Sequence, residues 1–366
     1  MGSKISRRGL LAGGACVALT ATGCAAGASS DSRHATAEPP HQPGILTDPP
    51  GNAVFAAFDV QVADRHALAG MLKVISTRIA TASAEVLVSV GASLFDDRYG
   101  LAARRPAALT TMRPFPNDVL DPAWCHGDLL LQVCAPDEAT VHSALTAVEQ
   151  AAGEALAPRW RMPGFRPENT RAANGRPTTR NLMGFQEGMS NPDVRDAAGM
   201  ARLVWAGENE PAWAAGGSYQ VVRLVRFATE LWDREPLAVQ EAVFGRRRSD
   251  GAPLGRDAGT EDFTYADDPA YRFVARDAHI RLANPRTPET AGSRILRRGY
   301  SYRTDTDGGM AFVCFQRDLR AGFETVQRRL AGQSLDKYLL PFGGGYFFAL
   351  PGAATGEHVG TRLLDT

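Results

Sequence analysis

The hydrophobic pattern of the chain consists of short apolar runs separated by longer segments with a helical period. The short runs predict buried strands at 53–60, 85–91, 128–134, 219–227, 309–316 and 345–352. Apolar residues spaced three and four apart predict helices at 64–80, 138–156, 235–245 and 318–332. The pattern therefore predicts that each half is an α+β module close to β-α-β-β-α-β, with its helices on one sheet face.

Two such sheets can pack face to face or form a barrel, with a ligand between sheet and helices. Two long irregular stretches, 157–215 and 246–300, interrupt the pattern and are rich in Gly, Pro, Arg and Asn. Loops of this length inside a compact domain are usually functional or disordered. We divide the chain into a leader and spacer (1–50), an N-terminal module (51–215) and a C-terminal module (216–366).

The N-terminal segment has the composition of an export signal. Arg7 and Arg8 precede a Gly/Ala-rich run, and no acid appears before Asp31, which is the layout of a twin-arginine signal. The alternative is an N-terminal helix with two chance arginines. Ala21-Thr22-Gly23-Cys24 resembles a lipobox with a weak first residue, so acylation of Cys24 stays open. Residues 25–50 read as a flexible spacer, and the protein is expected outside the cell or in its envelope.

Composition excludes several function classes. The 366 residues carry no net charge, whereas nucleic-acid-binding proteins usually show a basic surface. No apolar run beyond the N-terminus approaches the roughly 20 residues that span a bilayer, so membrane contact is expected only through a lipid anchor. The cysteines form neither CxxC nor CxxCH, which excludes a c-type haem attachment and a thiol redox motif. Cys125 could pair with Cys134, but the apolar setting of Cys134 and Cys314 favours free thiols.

One of the seven histidines stands out, His279 in the segment DAHIRLANPR. The chain has no HxxxH or HExxH pattern, so a zinc site built from several histidines is not expected. A lone histidine is more often a structural residue. The alternative is a single axial ligand of a haem iron, with nearby arginines such as Arg281 and Arg286 pairing the propionates.

Eight segments occur in this order along the chain: VGASLFDDRYGL, HGDLLLQVCA, GFQEGMSNP, FGRRRSDGAPLG, DAHIRLANPR, ILRRGYSY, MAFVCFQRDLRAGF and GGGYFFALPG. Taken together, they resemble the dye-decolorizing peroxidases, in particular their exported, deferrochelatase-like branch. The resemblance covers about residues 50–353. It implies two ferredoxin-like modules in a dimeric α+β barrel-type fold, with one non-covalent haem b per chain in the C-terminal module.

The resemblance also implies roles for individual residues. His279 matches the family's proximal haem ligand, and Arg297 matches its distal arginine. Arg286 matches an arginine that contacts a haem propionate, and Met310 and Phe312 match apolar residues of the distal pocket. The family's GxxDG motif matches the turn NLMGFQEGMSNP at 181–192, with Glu187 in place of the usual Asp.

A carboxylate at Glu187 could move a proton between the two oxygens of peroxide if it lies within hydrogen-bond reach. Arg297 would stabilise the negative charge on the departing oxygen, as donors do in an oxyanion hole. The alternative is that Glu187 only caps the turn or forms an ion pair with Arg297. Gly184 and Gly188 would allow a turn and close approach to a flat macrocycle, and Asn191 would hold the loop.

The residues leave other roles open. Asp318 and Glu324 are both candidates for a carboxylate that hydrogen-bonds the ring of the proximal histidine. Electron relays to the surface could use any of Trp205, Trp213, Trp232, Tyr219 and Tyr338, and none is assigned. The arginine run 246–248 is either a solvated loop or a patch for haem entry or anionic substrates.

The resemblance implies a haem peroxidase that reduces hydrogen peroxide and oxidises bulky organic donors such as dyes. An alternative is a haem-handling protein of an iron-uptake system, which binds haem or oxidises porphyrinogens and has weak peroxidase activity. A third interpretation, a haem-free binding module, requires that the whole motif set be vestigial. The physiological reductant and the oligomeric state, including a homo-oligomer, stay open.

Overall fold

The predicted apolar strands are present and belong to one antiparallel sheet. The computed structural model describes residues 41–167 and 170–365. Its strands are β1 (Asn52–Val60), β2 (Glu85–Gly91), β3 (Leu129–Ala135), β4 (Leu156–Phe165), β5 (Thr170–Arg171), β6 (Pro177–Arg180), β7 (Gln186–Glu187), β8 (Ser218–Phe227), β9 (Leu296–Arg297), β10 (Tyr300–Arg303), β11 (Gly308–Gln316) and β12 (Leu339–Ala349). Its helices are α1 (Arg65–Ala80), α2 (Glu138–Ala152), α3 (Ala197–Leu203), α4 (Thr229–Asp233), α5 (Leu237–Phe244), α6 (His279–Ala283), α7 (Thr325–Leu330) and α8 (Thr361–Leu364).

The main sheet closes on itself. Its nine strands run in the order β10-β4-β1-β3-β2-β12-β8-β11-β9, and β10 pairs in addition with β11. Because β10 bonds both β4 and β11, the strands of the two predicted modules form a barrel rather than two separate sheets. The fold is therefore mixed α+β with a large antiparallel sheet, while the boundary between residues 215 and 216 stays a prediction. A small second sheet holds β5, β6 and β7.

Both faces of β1, β2, β3 and β8 are buried, which explains why these strands appear in the sequence as continuous apolar runs. In β1, Phe55 and Ala57 belong to the core inside the barrel, and Val54, Ala56 and Phe58 belong to the core under α1 and α2. A strand with two covered faces loses the polar alternation of a half-exposed strand. The strands of the second module also have a face that points away from the barrel interior, and the cavity described below lies against that face.

The second predicted helix ends earlier than its apolar period suggests. Residues 138–156 were predicted as one helix, but α2 stops at Ala152 and β4 begins at Leu156. Gly153 adopts a φ of 54°, a conformation that favours glycine and breaks the helix. The sequence pattern does not predict β4, because the strand contains Pro158 and Pro163 and proline is rare within central strands.

The last predicted helix and strand also differ in detail. Residues 318–332 were predicted as one α-helix, but a π-helical turn at Arg320–Glu324 precedes the short helix α7. The closing strand, predicted from residue 345, begins at Leu339 and contains the glycines 343–345. A side chain on Gly344 would lie 2.0 Å from the carbonyl oxygen of Val222, so the close approach of β8 requires glycine there.

The predicted spacer extends too far. Residues 41–50 were assigned to it, yet this segment packs on the domain: Ile45 is 1% exposed, and Gln42 hydrogen-bonds the backbone of Val88 and Leu350. The ring of His41 stacks on Trp205 with centroids 3.5 Å apart. The predicted twin-arginine signal and Cys24 lie outside the described residues.

Cys125, Cys134 and Cys314 are buried free thiols. Burial raises the pKa of all three thiols. Within residues 41–167 and 170–365, no helix is long and apolar enough to cross a membrane. No group of three or more His, Cys, Asp or Glu side chains that could hold a metal ion occurs there either.

Candidate active site

A cavity of about 560 Å³ lies against the outer face of β8, β11 and β12. Arg223, Val225, Met310 and Phe312 point into it from the sheet, because they alternate with residues that face the barrel interior. Helices α6 and α7 and the loops around Glu187 and Arg297 form the remaining walls. The size suits a large, mainly apolar ligand.

His279 enters this cavity from the first position of α6. Its Nδ1 lies 2.8 Å from Oε1 of Gln333. Nε2 of Gln333 donates to the Asp336 carboxylate over 3.1 Å, which fixes Oε1 as the acceptor and places the imidazole proton on Nδ1. Burial lowers the pKa of His279, so the neutral ring offers the lone pair of Nε2 as a ligand.

The partner of His279 is therefore an amide and is neither of the two acids that the sequence offered as candidates. Asp318 binds the backbone nitrogens of Arg320 and Ala321, and Glu324 forms a 3.9 Å ion pair with Arg328. Asp336 acts behind Gln333 and also accepts from the backbone of Gly332 over 2.9 Å. Sequence reasoning missed Gln333 because it lies 54 residues from His279 and belongs to no local motif.

Glu187 lies at the end of β7, where Thr179 is its partner across the strand pair. Asn181 accepts from the backbone nitrogens of Met183 and Phe185 through Oδ1, which leaves its Nδ2 to donate to Oε1 of Glu187 over 2.8 Å. Burial raises the pKa of Glu187, and Asn181, Arg297 and Arg166 oppose the rise. The buried carboxyl group therefore holds its proton to a higher pH than an exposed glutamate does.

Arg297 is held by Asn191 through three hydrogen bonds. Oδ1 of Asn191 accepts from the backbone nitrogen of Arg297 over 3.1 Å and from its Nε over 3.2 Å, and Nδ2 donates to its carbonyl over 2.8 Å. The Nη groups of Arg297 have no hydrogen-bond partner among the described residues. Burial lowers the pKa of Arg297, and the nearby charge of Glu187 opposes this. Asn191 therefore aims the guanidinium at the cavity as well as bracing the loop.

Arg286 belongs to a buried polar cluster around Glu261. The Glu261 carboxylate accepts from Arg246 over 2.6 Å and from Arg286 over 3.2 Å, and it also binds the Ser190 hydroxyl. Burial alone would raise the pKa of Glu261, but Arg246, Ser190 and Arg286 bring it below its usual value. Glu261 and Ser190 were not among the predicted site residues, and no local motif marks them.

Positive charge exceeds negative charge along this wall of the cavity. Arg176 and Arg294 line it beside Arg286 and Arg297. Burial lowers the pKa of Arg294, and the other three arginines lower it further by repulsion. The Nε of Arg286 also has no hydrogen-bond partner among the described residues. This wall can hold carboxylates of a bound ligand through charge-assisted hydrogen bonds.

The two predicted glycines take different positions. Gly188 lines the cavity with a φ of 84°, and a side chain on it would meet the carbonyl oxygen of Pro177 at 2.7 Å. Gly184 also has a positive φ of 88°, but a side chain there would meet Arg248 at 2.2 Å. Its requirement for glycine comes from the turn and from Arg248, because it is not among the residues that line the cavity.

A third glycine, Gly299, was not predicted. A Cβ there would lie 2.7 Å from the Met310 methyl carbon and 3.4 Å from Oε2 of Glu187. This residue lets the acid and the apolar side chain lie next to each other at the cavity wall.

Of the remaining sequence candidates, Arg246 lines the cavity, whereas Arg247, Arg248 and the candidate electron relays do not. The arginines of the run at 246–248 pair with Glu261, Asp250 and Gln240. The five candidate electron relays are at most 7% exposed: Trp205, Trp213, Trp232, Tyr219 and Tyr338. None of them therefore has a surface for contact with a large donor.

The donor set fits a haem. His279 supplies one neutral imidazole nitrogen, the wall around Arg286 and Arg294 supplies cations for two propionates, and Met310 and Phe312 supply apolar contacts. The acid and the guanidinium at Glu187 and Arg297 line the same cavity and lie near enough to shift each other's pKa.

Comparisons with known proteins agree with this chemistry. A family model described as Dyp-type peroxidase, N-terminal, matches residues 42–166, and one described as Dyp-type peroxidase, C-terminal, matches residues 178–354. The deferrochelatase of Shigella flexneri is 42% identical over 363 residues, which cover 89% of this chain and 86% of that protein. The deferrochelatase of Escherichia coli is 42% identical over 362 residues, with shares of 88% and 86%.

Solved structures give the same result. Ferric DtpA from Streptomyces lividans superposes with a TM-score of 0.80 at 36% identity, covering 90% of this chain and 96% of that one. A DyP-type peroxidase from Cellulomonas bogoriensis gives a TM-score of 0.80 at 34% identity, with shares of 90% and 97%. The chain therefore belongs to the DyP-type peroxidases and is a haem-dependent peroxidase.

Proposed function

We propose that this protein reduces hydrogen peroxide with electrons taken from bulky organic donors such as dyes. The observation that carries the proposal is one cavity that holds an imidazole with a free Nε2, a buried carboxyl group and a buried guanidinium. Haem bound there would supply an iron centre that passes two electrons to peroxide and recovers them from donors.

His279 would ligate the iron through Nε2, since Gln333 holds the proton on the other ring nitrogen. Arg286 and Arg294 would bind the propionates, which would compete with Glu261 for the same cations. Met310 and Phe312 would contact the macrocycle and keep water from the reacting face. These roles follow from the chemistry of each side chain.

Glu187 would act as the proton carrier. In its ionised form, the carboxylate accepts a proton from one oxygen of peroxide and returns it to the other, which leaves as water. Arg297 would stabilise the negative charge that develops on the departing oxygen, through the Nη groups that Asn191 leaves free. Glu187 has one methylene more than the Asp of the family motif, and the hydrogen bond from Asn181 holds its longer side chain.

A haem-handling role is the second candidate, and two observations favour it. Burial favours the protonated form of Glu187, which is the wrong form for accepting a proton. His279 has a neutral amide as its hydrogen-bond partner, which makes the ring less electron-donating than a carboxylate would. The relatives from Shigella flexneri and Escherichia coli are both called deferrochelatase.

Mixing haem-loaded protein with one equivalent of hydrogen peroxide tests the function. We expect a rapid change in the Soret band, at a rate that rises with pH. The sign follows from Glu187: its pKa lies above the usual 4.5, so the proton-accepting form appears only as the pH passes that raised value. Stopped-flow absorbance from pH 4 to pH 8 measures the rate of the Soret change at each pH. A donor added in a second mix then measures the rate of donor oxidation.

Glu187→Gln is the control, because it keeps the size and the bond to Asn181 but cannot take a proton. We expect this variant to react slowly and to lose the rising part of the pH profile. A wild-type rate independent of pH would show that Glu187 is not the acceptor. An unchanged Soret band on mixing would favour the haem-handling role.

Gln333→Glu is expected to lower the midpoint potential of the bound haem. A carboxylate at this position would draw the Nδ1 proton more strongly than an amide does, and the ring would donate more electron density to the iron. Spectroelectrochemical titration of the ferric and ferrous forms measures the shift.

Asp336→Asn is the matched control, since it removes the charge behind the amide and leaves Gln333 in place. A smaller shift in the opposite direction is expected from it. Equal potentials in all three proteins would show that the hydrogen bond to His279 does not tune the iron.

We also propose export through the twin-arginine route, on the basis of Arg7, Arg8 and the following Gly/Ala-rich run. This route carries folded proteins, which suits an enzyme that acquires its haem before export.

A further inference from the structure

A second, open groove of about 390 Å³ lies beside the haem cavity and is unexplained by the chemistry above. Its floor and sides combine aromatic, aliphatic and cationic side chains, namely Tyr265, Tyr271, Arg276, Arg281, Leu282, Pro285 and Arg329. We call it the arginine groove. Arg281 and Leu282 belong to α6, the helix that begins at His279, so the groove lies directly behind the candidate haem ligand.

The loop that forms the groove is braced to hold an aromatic ring in solvent. Tyr271 is 46% exposed and has a φ of 56°, an unfavourable conformation for a bulky residue. Asp268, itself buried, accepts from the backbone nitrogens of Arg272 and Val274 over 2.7 and 3.1 Å and from Arg281 over 2.7 Å. Such strain persists only where surrounding bonds enforce it, and it concentrates at binding sites.

The cations of the groove exceed its acids. Arg281 pairs with Asp268, but its Nε has no hydrogen-bond partner among the described residues. Nη1 of Arg329 is likewise buried without a partner, and among residues 41–167 and 170–365 the side chain bonds only the hydroxyl of Ser293, over 3.2 Å. In the described part of the chain, Arg276 makes no ion pair. The groove therefore offers guanidinium donors to an anion and ring faces to an aromatic group.

Aromatic and guanidinium groups connect the groove to the haem cavity. The Arg281 guanidinium lies 4.8 Å from the ring centre of Tyr271 and 4.2 Å from that of Tyr265. Tyr265 lies edge-on to Phe263 with ring centres 5.3 Å apart, and the Arg286 guanidinium lies 3.8 Å from the Phe263 ring. Because Arg286 also lines the haem cavity, these contacts lead from the groove to that cavity.

We propose that the arginine groove binds an anionic aromatic electron donor and that the donor is oxidised there, outside the haem cavity. This inference rests on the proposed peroxidase function. Each donor molecule gives up one electron, which passes over the contacts through Tyr265 and Arg286. Two donor molecules and two protons from solvent balance the reduction of one hydrogen peroxide to two water molecules.

The test uses the haem-loaded enzyme and two donors, the disulfonated aromatic ABTS and the small neutral phenol 2-methoxyphenol. Arg276→Gln/Arg329→Gln is expected to raise KM for ABTS about tenfold or more, because charge-assisted hydrogen bonds are lost. We expect kcat for ABTS and both constants for 2-methoxyphenol to stay near wild type. Calorimetric titration of ABTS into resting enzyme without peroxide should show the same weakening as a change in Kd.

Arg328→Gln is the matched control, since Arg328 is adjacent in sequence, exposed and outside the groove. Tyr271→Leu serves as a second variant that removes the ring but no charge, and it should also weaken ABTS binding. If the groove variants turn over 2-methoxyphenol normally and their Kd and KM for ABTS are also unchanged, the groove proposal is overturned. Wild-type enzyme that oxidises neither donor would instead overturn the proposed function, and the calorimetry would still decide whether the groove binds ABTS.

Discussion

His279→Ala is expected to abolish stable ligation of the haem iron. The imidazole is the one side chain in the cavity that presents a neutral nitrogen with a free lone pair, among the residues that the structure describes. Its loss leaves Gln333 and Asp336 bonded to each other but removes the ligand that they orient. Absorbance spectra and the haem content of purified protein measure the effect.

Added imidazole provides the strongest check of this role. The substitution opens space for a free imidazole, which should restore a histidine-like spectrum to the variant but leave wild type unchanged. His142→Ala, at an exposed position on α2, should bind haem normally. A wild-type spectrum from His279→Ala without imidazole would show that another residue binds the iron.

Arg297→Leu is expected to slow the reaction with hydrogen peroxide by about 100- to 1000-fold, the usual effect of losing one charge-stabilising donor. Haem binding should persist, because the cations at Arg286 and Arg294 remain. Removing Arg297 also removes an influence that lowers the pKa of Glu187, so the rising part of the pH profile should move to higher pH. Stopped-flow absorbance at several pH values measures both effects.

Arg297→Lys separates charge from geometry. It keeps the positive charge but loses the bond from Nε to Asn191, so we expect a rate between those of wild type and Arg297→Leu. Arg303→Leu, at an exposed position on β10, controls for the loss of an arginine elsewhere. A wild-type rate in Arg297→Leu would mean that the guanidinium does not face the reacting oxygen.

The sequence predicts most of the barrel because burial on both faces forces continuous apolar runs into its strands. Phe55, Val88, Leu131, Val222 and Val313 all lie in such runs, and all are fully buried. The exceptions have local causes. Strand β4 escapes detection because its outward face carries exposed prolines and arginines, so it has no continuous apolar run. Its inward side chains Trp160 and Met162 nevertheless fill the barrel.

The candidate site is partly visible in the sequence. Family motifs mark His279, Glu187 and Arg297, and the structure places all three around one cavity. Their partners are not marked. Asn191 lies 106 residues from Arg297 and Gln333 lies 54 residues from His279, so no local spacing could reveal either contact.

The sequence by itself determined the residue types of the chemistry: one imidazole, one acid and one arginine within recognisable motifs, together with an α+β chain of buried strands. Only the tertiary structure decided which groups orient these three side chains and in which direction burial shifts their pKa values. The physical reason is that hydrogen-bond partners and desolvation arise when distant segments are brought together. Here the pairing of β9 with β11 places Arg297, the pairing of β7 with β6 places Glu187, and Asn191 joins the two segments.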